Sequence, residues 1–368
     1  MAPRWAAVGL ALFTTACGAK TGLRVPDVLD ERAPDVPEAS DAPDVPDLPD
    51  LPDTCRAVPQ PVDRLTSEVL FVIDRSASMS DRTESGATRW GALTAALGQV
   101  LPAVDRELWT GLVVFPAVPR GGTTACGVGR EVDLPPRPQQ ASALLATLRA
   151  AATGGGTPTF DALQVAARHY QNTPPTGRVR GRFLVLATDG GPNCNAGLSI
   201  NTCTCTNPRG CSGLSANTSC LDDVRTLGAL RTLVSQGVQT FVIGIPSGDL
   251  AFLDNTLNAM AIAGGRPREG TPRYYRAEDS DAFTRVFREI TGSLVRCRYV
   301  TNPVPDPGRV SVWIGGQRVP RDPTRLTGWD WHRVEAGEFV LYGDACQAAQ
   351  RDGARVTTRY DCPDEDAR

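Results

Sequence analysis

Val69-Leu70-Phe71-Val72-Ile73-Asp74-Arg75-Ser76-Ala77-Ser78-Met79 changes character at a single point. Its first five residues are apolar without alternation, the pattern of a strand covered on both faces. A carboxylate follows, then a hydroxyl at every second position. In a loop of this kind the alternate residues Asp74, Ser76 and Ser78 turn toward a common point. One carboxylate and two hydroxyls are hard oxygen donors, suited to Mg²⁺.

Working outward, the same alternation of apolar runs and amphipathic stretches continues to about residue 295. Leu112-Val113-Val114-Phe115, Phe183-Leu184-Val185-Leu186-Ala187 and the run 240–245 read as further buried strands. Residues 90–104, 141–151, 159–170, 224–235, 250–263 and 281–295 read as helices. Strands alternating with helices predict an α/β fold with a doubly wound, mainly parallel sheet. Ligands of such sheets bind at the carboxyl ends of the strands, which directs attention to two further segments. Thr153-Gly154-Gly155-Gly156-Thr157-Pro158-Thr159 opens a helix with Pro at a favourable first position. Thr188-Asp189-Gly190 places a second carboxylate at the end of its strand.

These three segments, in this order and on these elements, resemble the von Willebrand factor A domain and its metal-ion-dependent adhesion site. The family pattern is DxSxS, a Thr in a GGT segment and an Asp in a TDG turn. It falls here on Asp74, Ser76, Ser78, Thr157 and Asp189. The resemblance extends to the run 241–245, to Met260-Ala261-Ile262-Ala263-Gly264-Gly265 and to Tyr274-Tyr275. It implies a Rossmann-like fold over residues 66–296. It also implies that the hydroxyls bind Mg²⁺ (or Mn²⁺ or Ca²⁺) directly and the aspartates directly or through water. Two uncompensated carboxylates at adjacent strand ends would repel each other, which independently argues for a cation between them. The open coordination position then suits an acidic side chain of a protein partner. Arg75, inside the motif, is expected to point away from the metal.

Two loops exceed the family pattern, 116–138 and the Cys-rich insertion 190–221. Both leave carboxyl ends of strands and are expected on the metal face as a crosslinked collar that sets partner choice. After Cys17 the chain holds ten cysteines: Cys55, Cys126, Cys194, Cys203, Cys205, Cys211, Cys220, Cys297, Cys346 and Cys362. An even set in an exported chain fits disulfide pairing. Five crowd into 194–220, so one must pair outside, and Cys126 is the topological candidate. A zinc-thiolate or redox role for the Cys203-Thr204-Cys205 cluster is the rival reading. Residues 297–368 change to period-2 alternation (310–314, 338–342, 355–360) with Gly315-Gly316 at a hairpin turn. They read as a small disulfide-linked β module in which Trp329 and Trp331 belong to the core.

The N-terminus has one basic residue, an apolar stretch at 5–13 and small residues before Cys17, the layout of a secretory signal (1–16). It resembles a bacterial lipobox with Cys17 as the acylated residue, although Thr14 stands where Leu is usual. Residues 25–54 hold ten acidic residues, seven Pro and one Arg. Pro and mutual repulsion prevent a core there. Residues 17–54 therefore read as a lipid-attached disordered linker, extended at about 3.1 Å per residue. The net charge of −3 and the absence of any basic footprint exclude a nucleic-acid partner. With only two His in 368 residues, His-rich zinc catalysis is excluded too. No nucleophile sits beside a base, so an enzyme is not expected. The reading is a cation-dependent protein-binding or adhesion module, displayed on the outer membrane or cell surface and touching the membrane only through its lipid. A structural envelope scaffold with a vestigial metal site is the alternative.

Overall fold

The computed structural model describes residues 58–117, 126–206, 210–212, 216–245, 251–295, 297–301, 306–351 and 353–361. All lie in the unit that begins at Cys55. The expected signal, Cys17, the Asp/Pro-rich linker, Cys55 and Cys362 fall outside the described residues. In chain order the elements are β1 (Gln60–Pro61), β2 (Asp63–Asp74), α1 (Arg89–Val104), β3 (Leu108–Phe115), β4 (Leu134–Arg137), α2 (Ala141–Ala150), α3 (Thr159–Asn172), β5 (Val179–Thr188), α4 (Asp223–Ser235), β6 (Val238–Gly244), α5 (Ala251–Ala263), β7 (Tyr275–Arg276) and α6 (Ser280–Leu294). There follow β8 (Arg298–Val300), β9 (Val310–Ile314), β10 (Gln317–Val319), β11 (Gly328–Arg333), β12 (Glu338–Tyr342), α7 (Gly343–Gln350) and β13 (Val356–Tyr360).

The apolar run 69–73 forms the middle of the sheet. β2 pairs in parallel with β3 on one side and β5 on the other, and β6 and β7 continue the parallel order. Because side chains alternate along a strand, Val69, Phe71 and Ile73 join one core with α1, α2 and α6. Leu70 and Val72 join a second core with α3, α4 and α5. Both faces of β2 are thus dry, which is why its sequence shows no polar alternation. The fold class expected from the sequence is the one observed.

Polar residues hid the start of β2. It begins at Asp63, six residues before the apolar run, because Asp63, Arg64 and Leu65 pair antiparallel with β8. Glu68 is buried although charged. It faces Arg182 across the β2–β5 register at 2.9 Å, and that guanidinium also donates to the Tyr170 carbonyl at 3.0 Å. The loop expected over 116–138 contains β4, paired antiparallel with β3. Pro135 and Pro136 lie within β4, which as an edge strand tolerates residues that cannot donate.

Three of the strands after Cys297, β8, β11 and β12, extend the central sheet. β8 bridges β2 to β12 and β11 in one nine-stranded sheet, so the boundary expected at 297 runs through continuous pairing. Glu338 on β12 is fully buried and accepts from Arg180 of β5 at 2.8 Å, a charged tie between the two regions. A second sheet, β1-β13-β9-β10, includes the residues just before β2. Gly315 and Gly316, with φ of 55° and 86°, make the expected β9–β10 turn. Trp329 and Trp331 are buried edge-to-face against each other and against Phe339, as core residues. Cys297 is bonded to Cys346.

Candidate metal centre

The five expected residues lie on three segments: the ends of β2 and β5, and the loop between α2 and α3. Asp74 closes β2 and Asp189 follows the last residue of β5. These strands are neighbours in parallel register, with Ile73 opposite Ala187, so the two carboxylates emerge side by side. Ser76 and Ser78 lie in the loop and short 3₁₀ turn (Ala77–Ser80) after β2. Thr157 stands two residues before α3 begins. Backbone bonds join the two loops: Gly154 N–H donates to the Arg75 carbonyl at 2.8 Å, and Ala77 N–H to the Gly155 carbonyl at 3.0 Å. Gly155 has φ of 83°, a conformation that glycine adopts without strain.

Asp74 is fully buried. One of its oxygens accepts from the Ser76 N–H at 2.7 Å and the other from the Thr188 hydroxyl at 2.6 Å. The Ser78 hydroxyl donates to Asp189 at 2.8 Å, and Ser76 Oγ lies 3.1 Å from Ser78 Oγ. Thr157 is buried, and a methyl group built on Gly190 would lie 3.4 Å from Thr157 Oγ1 and 4.0 Å from Ser78 Oγ. Glycine at 190 therefore keeps open the space onto which the hydroxyls of both segments give. Arg75 turns away, donating to the Pro116 carbonyl at 2.7 Å and the Ala152 carbonyl at 3.2 Å.

Burial, and then the charge of Asp189, push the Asp74 carboxyl up to about 7. Burial likewise raises Asp189, although Arg89 opposes it. A centre with two buried carboxylates that resist ionising is short of positive charge. With three hydroxyls beside them, the donors are all hard oxygens, and the set fits a small divalent cation better than a soft one.

Two residues at the site were not legible in the sequence. Arg89, the first residue of α1, donates to Asp189 at 2.7 Å. Asn193 clasps Thr157 from both sides: its Oδ1 accepts the Thr157 N–H at 2.7 Å and its own N–H donates to the Thr157 carbonyl at 2.9 Å. The neighbouring Cys194 is bonded to Cys126, so the insertion is tied to the loop after β3. Within the insertion, Cys203 is bonded to Cys220 and Cys205 to Cys211. Cys203, Cys211 and Cys220 do cluster closely enough to hold an ion, but disulfide bonding takes the thiolates that zinc or dithiol exchange would need. His169 lies ten residues into α3, about 15 Å along the helix from the site. His332 is exposed on β11.

Residues 69–192 match the family model described as the von Willebrand factor type A domain. The observed sheet, parallel at its centre, with helices on both faces fits the fold of that domain. No curated protein matches the chain. Among solved structures it is similar to the pilus adhesin SpaC from Lactobacillus rhamnosus GG, at 15% identity and a TM-score of 0.46. That alignment covers 82% of this chain and 40% of the adhesin, so the chain spans about two fifths of that protein's length. The type V pili tip protein Mfa5 from Porphyromonas gingivalis is similar at 14% identity, covering 63% of this chain and 97% of that one, with a TM-score of 0.40. The manganese-loaded TRAP protein of Plasmodium vivax is similar at 16% identity, covering 84% and 99%, with a TM-score of 0.38. These likenesses concern the fold. Among the described residues no helix is long and apolar enough to cross a membrane.

Proposed function

We propose that Asp74, Ser76, Ser78, Thr157 and Asp189 hold a divalent cation, Mg²⁺ or in its place Mn²⁺ or Ca²⁺, and that the domain binds a protein partner through it. The observation that carries this reading is the hydrogen-bonded run Asp74–Ser76···Ser78–Asp189, two buried carboxylates bracketing two hydroxyls. Ser78 gives its proton to Asp189, which frees its oxygen lone pairs to face a cation. Asp74 orients the same loop through the Ser76 N–H. Asn193 fixes the backbone on both sides of Thr157. When bound, the cation supplies an open coordination position for a carboxylate oxygen, since Mg²⁺ retains exchangeable waters beside its protein ligands. A docking device is the role this chemistry fits. The Cys-rich insertion, held to the loop after β3 by Cys126–Cys194 and to Thr157 by Asn193, would set partner choice. Acylation of Cys17 and the linker at 17–54 would display the domain on the outer membrane or cell surface.

Capture from an envelope extract in Mg²⁺ tests the reading. Wild-type protein is expected to retain a partner that EDTA releases, and Asp74→Ala is expected to retain none. Retention that ignores both EDTA and Asp74→Ala would favour the scaffold with a vestigial metal site.

A further inference from the structure

The metal-ligand pattern contains no cation of its own, yet this centre has one built in. Arg89 donates from Nη1 to Asp189 Oδ2 at 2.7 Å, while the other Asp189 oxygen accepts from Ser78. The guanidinium is no free surface arm, for its side chain is only 11% exposed and Asp189 is fully buried. It also reaches the Ser78 carbonyl at 3.3 Å and the exposed Asp81 carboxylate at 3.5 Å. Its backbone is fixed as well. Arg89 N–H donates to the Asp81 carbonyl at 2.9 Å, and Thr88 caps the helix by accepting from Gly91 N–H at 3.0 Å.

Charge balance gives this residue a consequence. Asp74 and Asp189 carry two negative charges, which a divalent cation alone would cancel to neutrality. With Arg89 in place the buried part of the loaded centre keeps a net positive charge, because the third carboxylate, Asp81, lies farther from the guanidinium at 3.5 Å and is exposed and screened by solvent. Arg75, the guanidinium inside the motif, is held by the Pro116 and Ala152 carbonyls and faces elsewhere.

We propose that Arg89 is the specificity-determining residue of the centre: a fixed countercharge on Asp189 that gives up cation affinity and makes the loaded site select an anionic, carboxylate-bearing ligand. This rests on the cation-binding reading above. Like charges repel the incoming cation, whereas the surplus positive charge attracts the ligand carboxylate.

Mn²⁺ binding to the folded protein, followed by titration of the Mn²⁺-loaded protein with acetate as the carboxylate probe, tests the proposal. Arg89→Met removes the charge and keeps the stem. Arg89→Gln keeps a donor toward Asp189 and covers the case in which the methionine variant fails to fold. Each is expected to bind Mn²⁺ on the order of ten-fold more tightly and acetate on the order of ten-fold more weakly. Arg89→Lys is expected to stay near wild type in both titrations. Unchanged or weaker Mn²⁺ binding in both uncharged variants, with a wild type that binds Mn²⁺, overturns the role of Arg89 alone. A wild type that binds no Mn²⁺ overturns the cation-binding reading and this inference with it.

Discussion

Asp74→Asn is expected to raise the melting temperature of the metal-free protein and, at the same time, to erase its response to Mg²⁺ or Mn²⁺. The two effects have opposite signs and one cause. Without a cation, the buried Asp74 carboxyl sits beside Asp189 with its proton affinity raised, chiefly by burial. The folded state then binds more protons than the unfolded state between the ordinary value of 3.8 and about 7. By linkage, metal-free stability falls as pH rises through that window. Asparagine still accepts from Ser76 N–H and carries no charge, so the variant should lose the Asp74 share of that slope and fall less steeply than wild type. A cation at about 100 times its Kd contributes about 2.7 kcal/mol to the wild type. At about 2–4 °C per kcal/mol for a unit of this size, that amounts to a rise of roughly 5–10 °C. Thermal melts at pH 5 and pH 8, with and without the cation, provide the check. A variant that still gains stability from Mg²⁺ would show that Asp74 is no part of a cation site.

The second large effect lies away from the site, in the sheet that positions it. Arg182→Met is expected to cost about 3–5 kcal/mol, because it strands Glu68 inside β2 without a counterion. Glu68 and Arg182 are direct register partners on β2 and β5, with side chains 8% and 12% exposed. The guanidinium also donates to the Tyr170 carbonyl and lies over the Tyr170 ring at 4.9 Å, tying the end of α3 to the sheet. Replacing Glu68 by Gln in the same chain should recover much of the loss, since an uncharged amide is far cheaper to bury than an unpaired carboxylate. Denaturant unfolding of the single and double variants measures this. A single variant within about 0.5 kcal/mol of wild type would place the pair among ordinary surface contacts.

The buried pair also shows what a sequence conceals. The stretch 69–73 could be read as a central strand because burial on both faces leaves only apolar residues. Glu68, one position earlier, looks like the end of that run until its partner is known. That partner lies 114 residues away in sequence. The same limit applies to the site. Asp74, Ser76, Ser78, Thr157 and Asp189 were legible because they lie in motifs at the ends of β2 and β5 or just before α3. Arg89 and Asn193 were not, because neither has a spacing that marks it. Arg89 looks like any charged residue at the start of a surface helix, and Asn193 like any turn former. The continuation of the central sheet into β8, β12 and β11 was hidden for a related reason. Period-2 alternation announces strands but not their neighbours, and β8 is only three residues long.

The central claim is that oxygen donors from three distant segments share one divalent cation. Mn²⁺ binding measured by electron paramagnetic resonance of the free ion tests it most directly. One Mn²⁺ per chain is predicted for the wild type, with binding weakened at least ten-fold by Ser78→Ala and by Thr157→Val and lost in Asp74→Ala. Wild-type protein that leaves all added Mn²⁺ free in solution, or Mn²⁺ binding that survives all three substitutions unchanged, would contradict the account.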